Sequence, residues 1–264
     1  MYSDIVTSVK NPIVKYVKKL LNVAKDRRQE GLVVAEGVHL AQSLLRADIL
    51  PQIVIYAESG VANPEIKALS GRLDAPGVTT LVVKDSLFES LSDIHAAVGV
   101  LVVFKPTIAE KPAQIEPDSL LLEDIQDPGN LGTILRTATA AGVKSVYLSS
   151  GTASAWSPKV LRAGMGAQLS LAIYEDVDLA KCIESSDVSV LATDLSAGTS
   201  IYDTKLDENT VWLFGSEGRG VSKKLLGLCA RRVTIPQADS TVESLNVSAA
   251  VAVCLFEQLR QQRT

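Results

Sequence analysis

Residues 119–142 read SLLLEDIQDPGNLGTILRTATAAG. An apolar run, SLLLE, meets the turn pair Pro128-Gly129 and gives way to residues with helical spacing. The pattern predicts a strand over 119–123 and a helix over 131–141, with Asn130 as N-cap and Gly132 allowing a close backbone approach. Arg136 falls nearly two turns into that helix among Leu, Ile and Ala, where an arginine is either a packed ion-pair partner or a functional group. A strand with little polar alternation, then a short turn and a helix, is the repeating unit of a parallel sheet covered on both faces.

The same alternation runs outward in both directions. VSVLAT and VWLFG are further uniformly apolar runs, and strands are expected at 145–149, 188–193, 210–214 and 232–235. Helices are expected at 158–163, 177–185, 221–228 and 244–261. Toward the N-terminus, Asn11-Pro12 opens a helix over 12–24. Strands at 32–35, 52–56, 79–83 and 98–104 then alternate with helices at 38–47, 64–70 and 86–91. Between the two series, KPTIAEKPAQIEPDS places Pro106, Pro112 and Pro117 in a polar seam. The expected fold class is α/β, with a small sandwich domain at 1–105, a linker at 106–118 and an open-sheet domain at 119–264.

Composition narrows the function classes. The 264 residues are 47% hydrophobic and 21% charged, a globular balance. The longest apolar stretches, near 98–104 and 247–256, fall short of the roughly 20 residues of a membrane span. The first residues lack the apolar core of a secretory signal. Cys182, Cys229 and Cys254 form no CxxC pair, and only His39 and His95 occur, so neither a disulfide framework nor a multi-histidine or cysteine metal site is expected. These features predict a soluble cytoplasmic protein without a metal. The net charge of −4 opposes bulk binding to nucleic acid, but the excess is uneven. Residues 9–28 carry Lys10, Lys15, Lys18, Lys19, Lys25, Arg27 and Arg28 against Asp26 alone. Such a helix either tracks a phosphate backbone or is a solvated face.

Several familiar sites fail by inspection. GSEGRGVS, 215–222, has Walker A glycine spacing but Val221 stands where the phosphate-binding lysine belongs. GMG at 164–166 lacks the third glycine of a dinucleotide fingerprint, and no GxSxG elbow occurs. Three clusters remain, each near the carboxyl end of an expected strand, where open α/β sheets bind ligands. The first runs from Asn130 to Arg136. The second, LFGSEGRG at 213–220, surrounds Glu217 with glycines. The third, IPQADSTVESLNVSAAV at 235–251, brings a polar loop into a helix that Ser244 is placed to cap. Asn246, a poor helix former, is expected just inside that helix and so lacks a structural reason.

These three clusters, NLGTILR, LFGSEGRGVS and IPQADSTVESLNVSAAVAV, together resemble the motifs of the SpoU family of RNA 2′-O-ribose methyltransferases, within the trefoil-knotted SPOUT superfamily. The likeness covers residues 119–258 and includes SPKVLRAGMGAQLSLAIYE at 157–175. SVKNPIVKYVKKL and VVAEGVHLAQSLL resemble, more loosely, the ribosomal-protein-like substrate-binding domain of many members. The resemblance implies a knot near the C-terminus, bound S-adenosylmethionine, and a homodimer that completes each active site. It assigns the cofactor to Thr193, Gly215, Glu217, Gly220, Ile235, Ser244 and Leu245, and the catalytic surround to Asn130, Arg136, Glu217, Ser244 and Asn246. RNA would meet Lys10, Lys15, Lys18, Lys19, Arg27, Arg28 and Arg136.

The sequence departs from the family at QADSTVE, 237–243, which lacks the usual glycine and carries one extra residue. Because arginine stays protonated, Arg136 is read as a bidentate phosphate and alkoxide clamp, with base catalysis as the alternative. Glu217 and Asn130 would orient it. Large-subunit ribosomal RNA is the expected substrate and transfer RNA the alternative. The rival outside this class is a non-catalytic RNA-binding or ribosome-assembly protein.

Overall fold

Asn11 accepts the amide protons of Ile13 and Val14 and so starts the first helix, whose Val14, Val17 and Leu20 form one buried stripe. The computed structural model describes residues 4–92, 99–110, 112, 114–206, 210–238 and 243–263. By contacts, the chain divides into one unit of residues 1–107 with 156–169 and another of 108–155 with 170–264.

The first unit runs β1 (Ile5–Val6), α1 (Pro12–Asn22), α2 (Ala24–Glu30), β2 (Val33–Glu36), α3 (Val38–Arg46), β3 (Ile53–Ala57), α4 (Pro64–Leu73), β4 (Thr79–Val83), α5 (Asp85–Glu89) and β5 (Val100–Phe104). Its sheet has the order β1-β4-β3-β5-β2, with β5 antiparallel to both neighbours. The α1 stripe, with Leu87 and Phe88 of α5, packs on Val34, Ile55, Leu101 and Val103. Burying each such side chain contributes on the order of 1.5–3 kcal/mol.

One helix was expected over 12–24, but α1 stops at Asn22 because Val23 is extended and Arg27 donates from one terminal nitrogen to the carbonyls of Leu20 and Leu21. The helix resumes as α2, whose charged residues hide the break from any periodicity argument. The strand expected from 98 begins at Val100; residue 98 itself lies outside the described residues.

The second unit holds β6 (Ser119–Leu122), α6 (Pro128–Ala141) and β7 (Ser145–Ser149). After them comes α7 (Pro158–Gly164), which packs with the first unit, against β2. The second unit resumes with β8 (Ala172–Val177), α8 (Leu179–Glu184), β9 (Ser189–Thr193), β10 (Thr210–Phe214), α9 (Lys223–Leu226), β11 (Arg231–Val233) and α10 (Val247–Gln262). All six strands are parallel, in the order β11-β9-β10-β6-β7-β8. One face carries Leu121, Tyr147, Val190 and Leu213 under α8 and Leu225 of α9. Trp212, one residue from Leu213 and hence on the opposite face, donates its indole N–H to Gln258 of α10 at 2.5 Å. α10 in turn packs along α6.

β8 was not expected: its buried residues are interrupted by half-exposed Glu175 and exposed Asp176, an edge-strand pattern that reads as loop. The helix expected from 244 begins instead at Val247, with Asn246 as its N-cap.

Within the first unit, Arg162 of α7 bonds the Glu36 carboxylate at 3.1 Å, and Ser92 donates to the other carboxylate oxygen. The Glu36 side chain is 4% exposed and that of Arg162 30%. Arg162→Ala therefore lowers the stability of this unit by about 1.5–3 kcal/mol, read as a fall in melting temperature. Glu36→Gln together with Arg162→Met recovers most of it.

Candidate active site

Thr193, Gly215 and Thr234 stand just at or past the carboxyl ends of three neighbouring parallel strands, β9, β10 and β11. Beyond them opens a cavity of about 580 Å³. Its wall includes every residue that the family resemblance assigns to the cofactor: Thr193, Gly215, Glu217, Gly220, Ile235, Ser244 and Leu245. Asp194, Leu195, Lys223 and Gln237 join them. Asp194 and Leu195 follow directly on the end of β9, and that position is the signal that would have found them; Lys223 opens α9 just after the second motif, and Gln237 lies within the third.

The loop after β10 is shaped by its glycines. A Cβ on Gly215 would lie 2.1 Å from the carbonyl carbon of Gly220, so no other residue fits there. Gly220, at φ +64°, donates its amide to the Ser216 carbonyl at 2.8 Å and closes the turn. Glu217 projects from that turn, exposed.

Three site residues meet by hydrogen bonds. Asn130 Nδ2 donates to Glu217 Oε1 at 2.9 Å, and Asn246 Nδ2 donates to Asn130 Oδ1 at 3.0 Å. Asn130 thus joins the start of α6 to the β10 loop and to the start of α10. It is not the N-cap that the sequence suggested. Asp127 caps α6 by accepting the Asn130 amide at 2.7 Å, which frees the Asn130 side chain. The cap expected of Ser244 is likewise made by Asn246, whose Oδ1 accepts the Ser248 amide at 2.9 Å. Asn246 therefore does have a structural reason, against the sequence reading, and meets Asn130 with its remaining donors. Ser244 lies exposed on the cavity wall.

Arg136 stands apart from this set. It is exposed, six residues beyond Asn130 on α6 and so about 240° round the helix axis. It makes no hydrogen bond or ion pair with any described residue, so the packed ion-pair reading fails. In the first unit, Lys10 precedes α1, and Lys15, Lys18 and Lys19 share its exposed face. Arg28 is exposed, whereas Arg27 is half-buried and engaged with the α1 carbonyls. Residues 239–242 of the departing loop lie outside the described residues.

Among the described residues, two carboxylates, Asp194 and Glu217, and two cations, Arg219 and Lys223, line the cavity. Hydrogen bonds from Ser196, then from Arg232, hold the Asp194 carboxyl below its ordinary range and keep it charged. Leu195 and Leu245 are 63% and 38% exposed beside them. Such a wall suits a zwitterion with a flat apolar part. Burial pushes the Cys229 thiol up to about 11 and raises that of Cys254, so neither is a ready thiolate. Among the described residues no cluster of His, Cys, Asp and Glu could hold a metal, and no helix is long and apolar enough to cross a membrane.

The SpoU rRNA Methylase family matches residues 118–256, and the MRM3-like substrate binding domain matches residues 11–101. An uncharacterized tRNA/rRNA methyltransferase of Synechocystis is 35% identical, over 98% of this chain and 96% of its own. The 23S rRNA (guanosine(2553)-2′-O)-methyltransferase of Bacillus subtilis is 28% identical, over 95% and 97%. The structure of an AdoMet-bound rRNA methyltransferase from Sinorhizobium meliloti superposes with a TM-score of 0.84 at 27% identity, covering 97% of both chains.

Gly215→Ala forces a backbone shift at the cavity and costs about 1–3 kcal/mol. It is expected to abolish ligand binding there, whereas Gly71→Ala in α4, whose Cβ would meet open space away from the cavity, leaves binding near wild type. Calorimetric titration of both variants with S-adenosylmethionine checks this.

Proposed function

The chain belongs to the SpoU rRNA methylase family, and on that premise we propose that it methylates a ribose 2′-hydroxyl of large-subunit ribosomal RNA, using S-adenosylmethionine. The observation that carries the reading is the Asn246–Asn130–Glu217 hydrogen-bonded set beside the cavity. Asn246 also caps α10, but neither Asn130 nor Glu217 caps a helix, so a relic would have no such reason to retain their exposed bond.

The cavity fits the cofactor. Its volume lies within the roughly 300–1,000 Å³ usual for small-molecule sites. Leu195 and Leu245 would flank the adenine, while Asp194 and Lys223 would face the amino and carboxylate groups. Thr193, Gly215, Gly220 and Ile235 would contribute chiefly backbone groups. When bound, the cofactor supplies an electrophilic methyl on a positively charged sulfur. What the protein adds is alignment, charge placement and exclusion of water. Glu217 and Asn130, fixed by their mutual bond, would orient the reacting groups, and Ser244 and Asn246 would hydrogen-bond ribose or cofactor.

Arg136 would grip the phosphate beside the target ribose in a bidentate fork and stabilise the developing alkoxide. Its place on a separate face of α6 supports a site completed across a homodimer. The exposed Ala140 of α6 and Ala249 and Phe256 of α10 offer an apolar surface for that pairing on the two helices that pack together. The trefoil knot is part of the same reading: β11 returns outside β9 after β10 has entered beside β6. Residues 1–105 would serve RNA binding, with Lys15, Lys18 and Lys19 along the phosphates, and residues 119–264 catalysis. A protein with this substrate acts in the cytoplasm.

Incubation with methyl-labelled S-adenosylmethionine and unmodified ribosomal RNA tests the reading. Wild type labels the RNA; Arg136→Lys loses about 100-fold or more, since the fork is gone although the charge stays. Mixing inactive Arg136→Ala with inactive Glu217→Ala subunits restores up to about a quarter of wild-type activity if dimers exchange and sites are shared. No restoration places Arg136 and Glu217 in the same subunit's site, and no labelling by wild type overturns the function.

A further inference from the structure

Arg219 and Asp124 form an ion pair at 2.6 Å that the catalytic reading leaves without a task. Arg219 sits two residues beyond Glu217 in the β10 loop and lines the cavity. Asp124 follows Glu123 directly after β6. In an extended chain two successive side chains point to opposite faces. Asp124 instead adopts φ +55°, a left-handed conformation that Asp and Asn tolerate better than other non-glycine residues.

With that turn, both carboxylates reach the same return of the chain. Glu123 Oε2 accepts the Ser222 amide at 2.7 Å, and Asp124 Oδ2 accepts from Arg219. Asp124 is itself well held. Its amide donates to Ser149 Oγ at 2.9 Å, and Gln126 Nε2 donates to its Oδ1 at 3.1 Å. Gly151 packs so closely that a Cβ there would lie 2.7 Å from Oδ1.

The two carboxylates do different work. The Glu123 contact needs only a backbone amide, so any residue except proline at 222 supplies it. The Asp124 contact depends on one long side chain that is 79% exposed, against 21% for its partner. Pairs of this kind are weak and screened by salt. They bias a loop without freezing it, as a site that must admit and release its ligand requires.

We propose that Asp124 is a positioning residue that, through Arg219, holds the 215–220 loop in the conformation lining the cavity and thereby sets cofactor affinity. The proposal rests on the cavity being the S-adenosylmethionine site.

The test is a double-mutant cycle on the full chain, read by calorimetric titration with S-adenosylmethionine and by steady-state methyl transfer. Asp124→Asn keeps shape and left-handed tolerance but removes the charge; Arg219→Gln keeps most of the stem. Each raises the cofactor Kd by about 2- to 5-fold, and the double variant no further than the larger single effect. KM for the cofactor rises in step while kcat and melting temperature stay near wild type. Arg219→Lys restores part of the affinity. Between about 50 and 500 mM NaCl, wild-type Kd climbs more steeply than that of Asp124→Asn.

Single effects that add in the double variant, or variants that bind like wild type, overturn the latch alone. A loss that Arg219→Lys fails to restore, or that tracks a fall in melting temperature, assigns the pair to folding and also overturns it. Wild-type protein that binds no cofactor overturns both the latch and the function it rests on.

Discussion

The parallel pairing of β10 with β6 is the constraint from which the site follows. It sets Trp212, Leu213 and Phe214 beside Leu120, Leu121 and Leu122, strands some ninety residues apart in the chain. Their carboxyl ends therefore release two loops side by side. One runs through Glu123, Asp124 and Asp127 into α6; the other carries Glu217 and Arg219. The side-chain bonds that join these two stretches, Asn130 to Glu217, Asp124 to Arg219 and Glu123 to the Ser222 amide, are possible only because that register holds. β9 and β11, on the far side of β10, add Thr193 and the approach to Ile235 and so complete the cavity.

The third partner comes from the far end of the chain. α10 packs along α6 and is tied to β10 through Gln258 and Trp212, so its first residue is delivered to the same corner. Asn246 serves there as helix cap and as donor to Asn130 at once. A single amide thus fixes both where α10 begins and how the site is oriented. Its replacement disturbs the fold locally as well as the site, and effects on the two need separate readouts.

What the sequence made legible was whatever is decided locally. The uniformly apolar runs at 119–123, 188–193 and 210–214 became neighbouring strands of a parallel sheet, since burial on both faces leaves no room for polar alternation. The glycines around Glu217 marked a close backbone crossing, which the contact of Gly215 with Gly220 explains. The fold and the SpoU assignment were readable from three motifs for the same reason.

What escaped depended on partners distant in sequence. β8 reads as loop because its polar residues obscure an edge strand, and the break after α1 depends on where Arg27 reaches. Capping was misassigned at both site helices: several polar residues stand at each helix start, and only the backbone path decides between them. The pairing of Arg219 with Asp124 was invisible, because no local pattern predicts which loop a turned carboxylate will face.

The claim that this corner of the sheet methylates ribose is tested most directly by the chemistry of the product. Ribosomal RNA labelled by the wild-type protein is hydrolysed in alkali, which cleaves every linkage next to a free 2′-hydroxyl. The account predicts that the label survives in one alkali-resistant dinucleotide. Label released wholly as methylated mononucleotides would mean that a base, not a ribose, is the acceptor, and would contradict it.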